Sequence, residues 1–96
     1  MQTESIAIPS QHPVFEGHFP GRPIVPGAML LDLILAASSR TVSTVSSAKF
    51  HQPVMPGDVL TLCFAPGARA SALTFTCRRD ETLVCSGVLL SDSASI

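Results

Sequence analysis

The sequence predicts an α+β fold, with one apolar helix followed by an antiparallel series of strands. Three observations point there. Residues 27 to 39 are apolar around the whole helical wheel, residues 58 to 90 alternate with a period of two, and Pro-Gly and charged turn signals divide that second region at short intervals.

Taken in order, Ser5 to Ile8 is the first candidate strand, and Pro9 ends it. Residues 9 to 26 contain five prolines (Pro9, Pro13, Pro20, Pro23 and Pro26), which excludes regular helix or a central strand. A loop of that length inside a compact chain is usually functional. Pro26 and Gly27 then open the helix, since proline suits a first turn whose N–H lacks a partner in any case. Met29, Leu30, Leu31, Leu33, Ile34 and Leu35 leave that helix no polar face, so it is expected to be buried.

Residues 40 to 47 read as a connection into a strand at Ser47 to Gln52, closed by the Pro53-to-Gly57 turn. Asp58 to Ala65 places Leu60, Leu62 and Phe64 on one face, with Thr61 and Cys63 on the other. After Pro66-Gly67, Ala70 to Arg78 sets Leu73 and Phe75 against Thr74 and Thr76. Arg79-Asp80-Glu81 makes a charged hairpin turn, and Thr82 to Leu90 is the last strand. Residues 91 to 96 are expected to fray.

Composition narrows the function. At 96 residues the chain is expected to form one domain, near the small end of what a single core supports. It is 46% hydrophobic and 14% charged, apolar enough to expect burial against another subunit. A net charge of −1, with no basic stripe and no Trp or Tyr, argues against a nucleic-acid binder. Three cysteines (Cys63, Cys77 and Cys85) form no Cys-x-x-Cys pair and read as reduced strand residues. A Cys77–Cys85 bridge would require the two to face one another.

The three histidines lack ligand spacing, so no metal is expected. The start at Met1-Gln2-Thr3-Glu4 has no signal-peptide character, and the apolar run from Ala28 to Ala37 is short of the roughly 20 residues that span a bilayer. No membrane association is expected, and the localisation expected is cytoplasmic.

Two residues carry candidate chemistry. Asp32 is the sole charge on the predicted helix; if buried there, its charged form is disfavoured and the neutral carboxyl becomes a proton donor. His18 lies in the proline-stiffened loop between Gly17 and Phe19, where it either caps the loop or acts as a base. Gly27 starts the helix, where the first N–H groups are free to serve another acceptor as well. Phe15 and Phe19 either pack the loop or line a site beside it. His12 and His51 have no assigned role.

The stretch Gly17-His18-Phe19-Pro20-Gly21, followed by Pro26-Gly27 and then Asp32 five residues later, resembles the 3-hydroxyacyl-acyl-carrier-protein dehydratase family. Ala48 to Asp58, with Phe50, Pro53-Val54 and Pro56-Gly57-Asp58, is similar to the strand and turn that follow the helix in that family. The resemblance covers roughly residues 5 to 92 and implies a hotdog fold, in which an antiparallel sheet wraps a long central helix.

It further implies that His18 removes the α-proton of a 3-hydroxyacyl thioester and that Asp32, from the other subunit of a dimer, protonates or positions the departing hydroxyl. Gly27 would hold the thioester oxygen, with Phe15 and Phe19 along the acyl tunnel. The substrate would arrive on the phosphopantetheine arm of an acyl carrier protein, without a further cofactor. Arg22, Lys49, Arg78 and Arg79 are candidates to meet that carrier or are dispersed surface charges.

The chain departs from the family pattern in three respects. It is short beside members that usually carry a further helix and strand ahead of Ser5, it carries Asp where one branch has Glu, and it places Ala36 where the family has Gln one turn after the acid. A non-catalytic hotdog subunit partnering another dehydratase, homodimer against heterodimer, and an acyl thioesterase are the alternatives.

Overall fold

The computed structural model describes residues 2–9, 25–38 and 42–91, with Ser43 described by its backbone alone. It contains β1 (Gln2–Ala7), α1 (Gly27–Ala37), β2 (Val42–Phe50), β3 (Val59–Pro66), β4 (Ala72–Arg79) and β5 (Thr82–Ser91). The five strands form one antiparallel sheet in the order β1-β3-β4-β5-β2. β3, β4 and β5 make the expected meander, β1 returns to the free side of β3, and β2 flanks β5.

Period-two patterning explains the core. Leu60, Leu62 and Phe64 of β3 are buried on one face, where Phe75 and Cys77 of β4 and Cys85 and Leu89 of β5 join them. From the helix, Leu30 and Ile34, four residues apart on one face, complete the same cluster. Gly87 allows the sheet to close at its centre. A Cβ there would collide with the Ser47 carbonyl oxygen of β2 and stand 2.8 Å from the ring of Phe75, its cross-strand partner.

Several expected boundaries move. β1 begins at Gln2, not Ser5, because its half-buried residues include the polar Gln2 and Glu4 as well as Ile6. β2 starts at Val42, inside what reads as a connection. It is an edge strand of Ser, Thr and Val, and register shifts between Val42/Thr44 and Val45/Ser47 hide its alternation. Ser91 closes β5, while residues 92–96, where fraying is expected, lie outside the described residues.

The long central helix is shorter than the resemblance implies. α1 has 11 residues and ends at Ala37, with Ser38 already extended at φ −70° and ψ 139°. At 1.5 Å per residue it is about 16 Å long. No helix among the described residues is long and apolar enough to cross a membrane.

Candidate active site at the helix start

Two irregular turns fix the ends of the sheet near the helix. The β4–β5 hairpin needs only Asp80 and Glu81, since Arg79 pairs with Thr82, and Asp80 sits at φ 55°, a conformation aspartate tolerates. In the turn before β3, Gly57 takes φ 88°, Asp58 N–H donates to the Met55 carbonyl, and the Asp58 carboxylate accepts from Met55 N–H at 2.9 Å. Ile8 clamps this turn to β1 by donating to the Asp58 carbonyl and accepting from Gly57 N–H.

The segment between β2 and this turn lies beside the start of α1. Val25 N–H donates to the Val54 carbonyl at 2.7 Å, which seats the chain entering the helix against residue 54. A cavity of about 330 Å³ opens between them, lined by Val25, Gly27 and Leu30 on one side and residues 50–54 on the other. That volume lies at the lower end of the range for small-molecule sites, and its mainly apolar walls suit an apolar group better than a charged one.

Gly27 is the first residue of α1, and no side chain among the described residues caps the helix. The first N–H bonded within the helix is that of Leu30, to the Pro26 carbonyl, and the N–H groups ahead of it belong to the set that a helix leaves for other acceptors. The ring of Phe50 rests on Gly27 while remaining 51% exposed. His51, given no role from the sequence, lines the cavity, and its Nε2 shares a 3.0 Å hydrogen bond with Ser86 Oγ.

The buried acid expected on the helix is not found in the single chain. Asp32 is exposed, together with Ala28 and Ala36, four residues to either side. Leu30 and Ile34 are the helix residues buried outright, Met29, Leu31, Leu33, Leu35 and Ala37 pack against the same core in part, and Asp32 lies two residues from each of the first pair, about 200° around the axis. The wheel is apolar by residue type, but this stripe carries two alanines, too small to cover the carboxyl.

His18, Phe15 and Phe19 lie outside the described residues, as does Arg22, so their arrangement around Gly27 is not part of the geometry. Of the cationic residues considered for a carrier protein, Arg79 is committed elsewhere, donating through Nη1 to Asp58 Oδ2 at 2.9 Å and to the Pro53 carbonyl at 3.0 Å. Among the described residues, no three His, Cys, Asp or Glu side chains come together as metal ligands would.

The family model of the ApeI-like proteins, described as ApeI dehydratase, matches residues 2–88. The chain belongs to the ApeI-like dehydratase family. This ApeI-like chain is 37% identical over 84 residues to a 3-hydroxyacyl-[acyl-carrier-protein] dehydratase FabZ of Chlamydia trachomatis serovar L2, a match covering 66% of this chain. A FabZ of Anaplasma phagocytophilum is 32% identical over 98 residues, with 82% of this chain covered and 68% of that protein. The chain spans only 55% of the length of the Chlamydia relative.

Among solved structures, the dehydratase heterocomplex ApeI:P from Xenorhabdus doucetiae superposes with a TM-score of 0.73 at 24% identity, covering 92% of this chain and 83% of that one. An uncharacterised protein from Erwinia carotovora subsp. atroseptica gives a TM-score of 0.71 at 28% identity, over 92% and 79% of the two chains. The ApeI-like chain thus has a hotdog-like fold, with an antiparallel sheet and one helix among the described residues.

Proposed function

We propose that this chain is a dehydratase subunit that removes water from a 3-hydroxyacyl thioester on the phosphopantetheine arm of an acyl carrier protein, in fatty-acid or polyketide-type synthesis. One observation carries the reading: Gly27 lines the chain's own cavity, whereas Asp32, on the same helix, is exposed and does not. A helix-start glycine in one pocket and an exposed carboxyl on the same helix fit a site completed between two subunits. The long outer edge of β2 and the exposed side chains of Phe50, Met55 (41%) and Val59 (59%) support such a partner.

In this reaction His18 takes the α-proton, and the electrons of that C–H bond form the Cα–Cβ double bond. The Cβ–O bond breaks, and Asp32 of the adjoining subunit supplies the proton with which the hydroxyl leaves as water. The Gly27 N–H, at the positive end of the helix dipole, holds the thioester oxygen while it carries the developing charge. Protons and electrons balance without a cofactor.

The test is conversion of a 3-hydroxyacyl carrier thioester to its trans-2-enoyl product by the purified protein. His18→Ala is expected to lower turnover at least about a hundredfold, the scale of a general base. Unchanged turnover in that variant would remove the assignment, and release of free thiol instead would mean a thioesterase.

A second reading, a non-catalytic subunit that completes another dehydratase, draws on Ala36 and on the structural match being a heterocomplex. Size measurement and turnover, alone and after mixing with a second hotdog subunit, separate the two. A stable homodimer that turns over by itself excludes the second reading.

A further inference from the structure

We propose that Arg79 is a positioning residue for the cavity at the helix start; this rests on the dehydratase reading for its kinetic consequence, though not for its structural one. Arg79 has the same strand parity as Phe75 and Cys77, so at the end of β4 it follows the core-facing row. It does not enter the core. The row ends there and the side chain reaches over the segment between β2 and β3, where one nitrogen, Nη1, bonds both the Pro53 carbonyl and Asp58 Oδ2.

That segment holds itself only at the Met55–Asp58 turn. Pro53 and Pro56 have no N–H to donate, so it is fastened by groups supplied from other elements. At its N-terminal end the Val84 carbonyl accepts from His51 N–H at 2.8 Å and from Gln52 N–H at 3.4 Å. Val84 is free to do so because β5 bulges there: Cys77 pairs with Cys85 and Arg78 with Leu83, which leaves Val84 as the extra residue. At the other end Ile8 grips Gly57 and Asp58.

Between these anchors, Arg79 is the side chain that joins Pro53, in the cavity wall, to Asp58, which orders the turn. The residue after Pro53 accepts the hydrogen bond from Val25, two positions before Gly27. A wall released at Pro53 therefore shifts relative to the N–H of Gly27. A charged donor engaged at two acceptors, with about a third of its side chain exposed, makes the fixing stronger than a neutral contact.

The experiment compares wild type, Arg79→Met and Arg79→Lys by amide hydrogen exchange and by steady-state kinetics with a 3-hydroxyacyl carrier thioester. In Arg79→Met, exchange at Val25 and Met55 is expected to quicken about tenfold, the loss of one charged hydrogen bond, while the β3–β4 ladder amides keep their rates. KM rises about tenfold with kcat changed less, since the wall binds substrate and does not touch the reacting atoms. Arg79→Lys, which retains a cation within reach of Asp58, recovers most of both.

Wild-type exchange at Val25 and Met55 in Arg79→Met would overturn the proposal whatever the activity. Faster exchange with an unchanged KM would overturn the positioning role. A wild-type chain that dehydrates nothing would overturn the proposed reaction instead, and the exchange rates would still judge the clamp.

Discussion

The ring of Phe50 lies so close to Gly27 that a methyl group added there would stand 3.0 Å from its Cζ and 3.4 Å from both Cε atoms. Gly27 therefore admits the close approach of an aromatic ring. Phe50 is half exposed, so it can yield to an added methyl by a small shift into the cavity mouth.

Gly27→Ala accordingly separates folding from function. Helix propensity favours alanine by up to about 1 kcal/mol, offsetting a contact that the exposed ring can relieve. The denaturation midpoint should stay near that of wild type. Turnover should fall about tenfold or more, because the displaced ring narrows the approach to the N–H. A variant as active as wild type would show that this backbone group takes no part.

Gly87→Ala should behave in the opposite way. Here the added Cβ meets the buried Phe75 ring of β4 and the Ser47 backbone oxygen, which cannot move without parting β2 from β5. Overpacking of a core costs about 3 kcal/mol or less in most sites, and a backbone collision at a strand pair belongs at the top of that range. Urea denaturation should show a large drop in midpoint, or no folded protein. Within 0.5 kcal/mol of wild type, about the range of neutral surface changes, the predicted collision would be disproved.

These two glycines also mark how far the sequence could be read. The faces of β3 and β4 were legible, because Leu60, Leu62 and Phe64 alternate with smaller or polar residues and nothing interrupts the register. The start of β2 was not, since a Ser- and Thr-rich edge strand with two register shifts has no hydrophobic period to detect. Pro26-Gly27 marked the helix start correctly, but the exposure of Asp32 depended on the sizes of Ala28 and Ala36, which a count of apolar residues ignores. Arg79 could not have been linked to Pro53 and Asp58 without the topology, as they lie 26 and 21 residues away. The Pro-Val-x-Pro-Gly-Asp pattern was the one signal pointing to that segment.

Cys77 and Cys85 are register partners across β4 and β5, both buried and both free thiols. Burial, reinforced by the neighbouring Cys85, pushes the Cys77 thiol from 9.0 up to about 12. The Cys85 thiol is also raised by burial, against the smaller opposing effect of the Ser86 backbone N–H. The unfolded chain ionises first, so the stability these thiols contribute is fully present below pH 9.0 and is lost as pH rises toward about 12. The slope per thiol is at most about 1.4 kcal/mol per pH unit. Cys77→Ala should be less stable at pH 7 but show a shallower decline between those two values in urea titrations. An identical slope would mean that Cys77 ionises alike in both states.

The sharpest prediction concerns whether His18 and Asp32 meet within one chain or between two. If each site takes its histidine from one subunit and its acid from another, His18→Ala and Asp32→Asn chains are each inactive but complementary. A mixed dimer then contains one site with both residues intact and one with neither. Random re-association makes half of the dimers mixed, with one good site of two, so about a quarter of wild-type turnover should return after the two variants are unfolded and refolded together. Sites built within single chains would regain nothing, because every chain carries a lesion. Asp32→Asn is a suitable partner because its side chain is exposed in the single chain, so the substitution should leave the fold intact. Mixed dimers that form and stay inactive would end the shared-site reading while leaving the ApeI-like fold untouched.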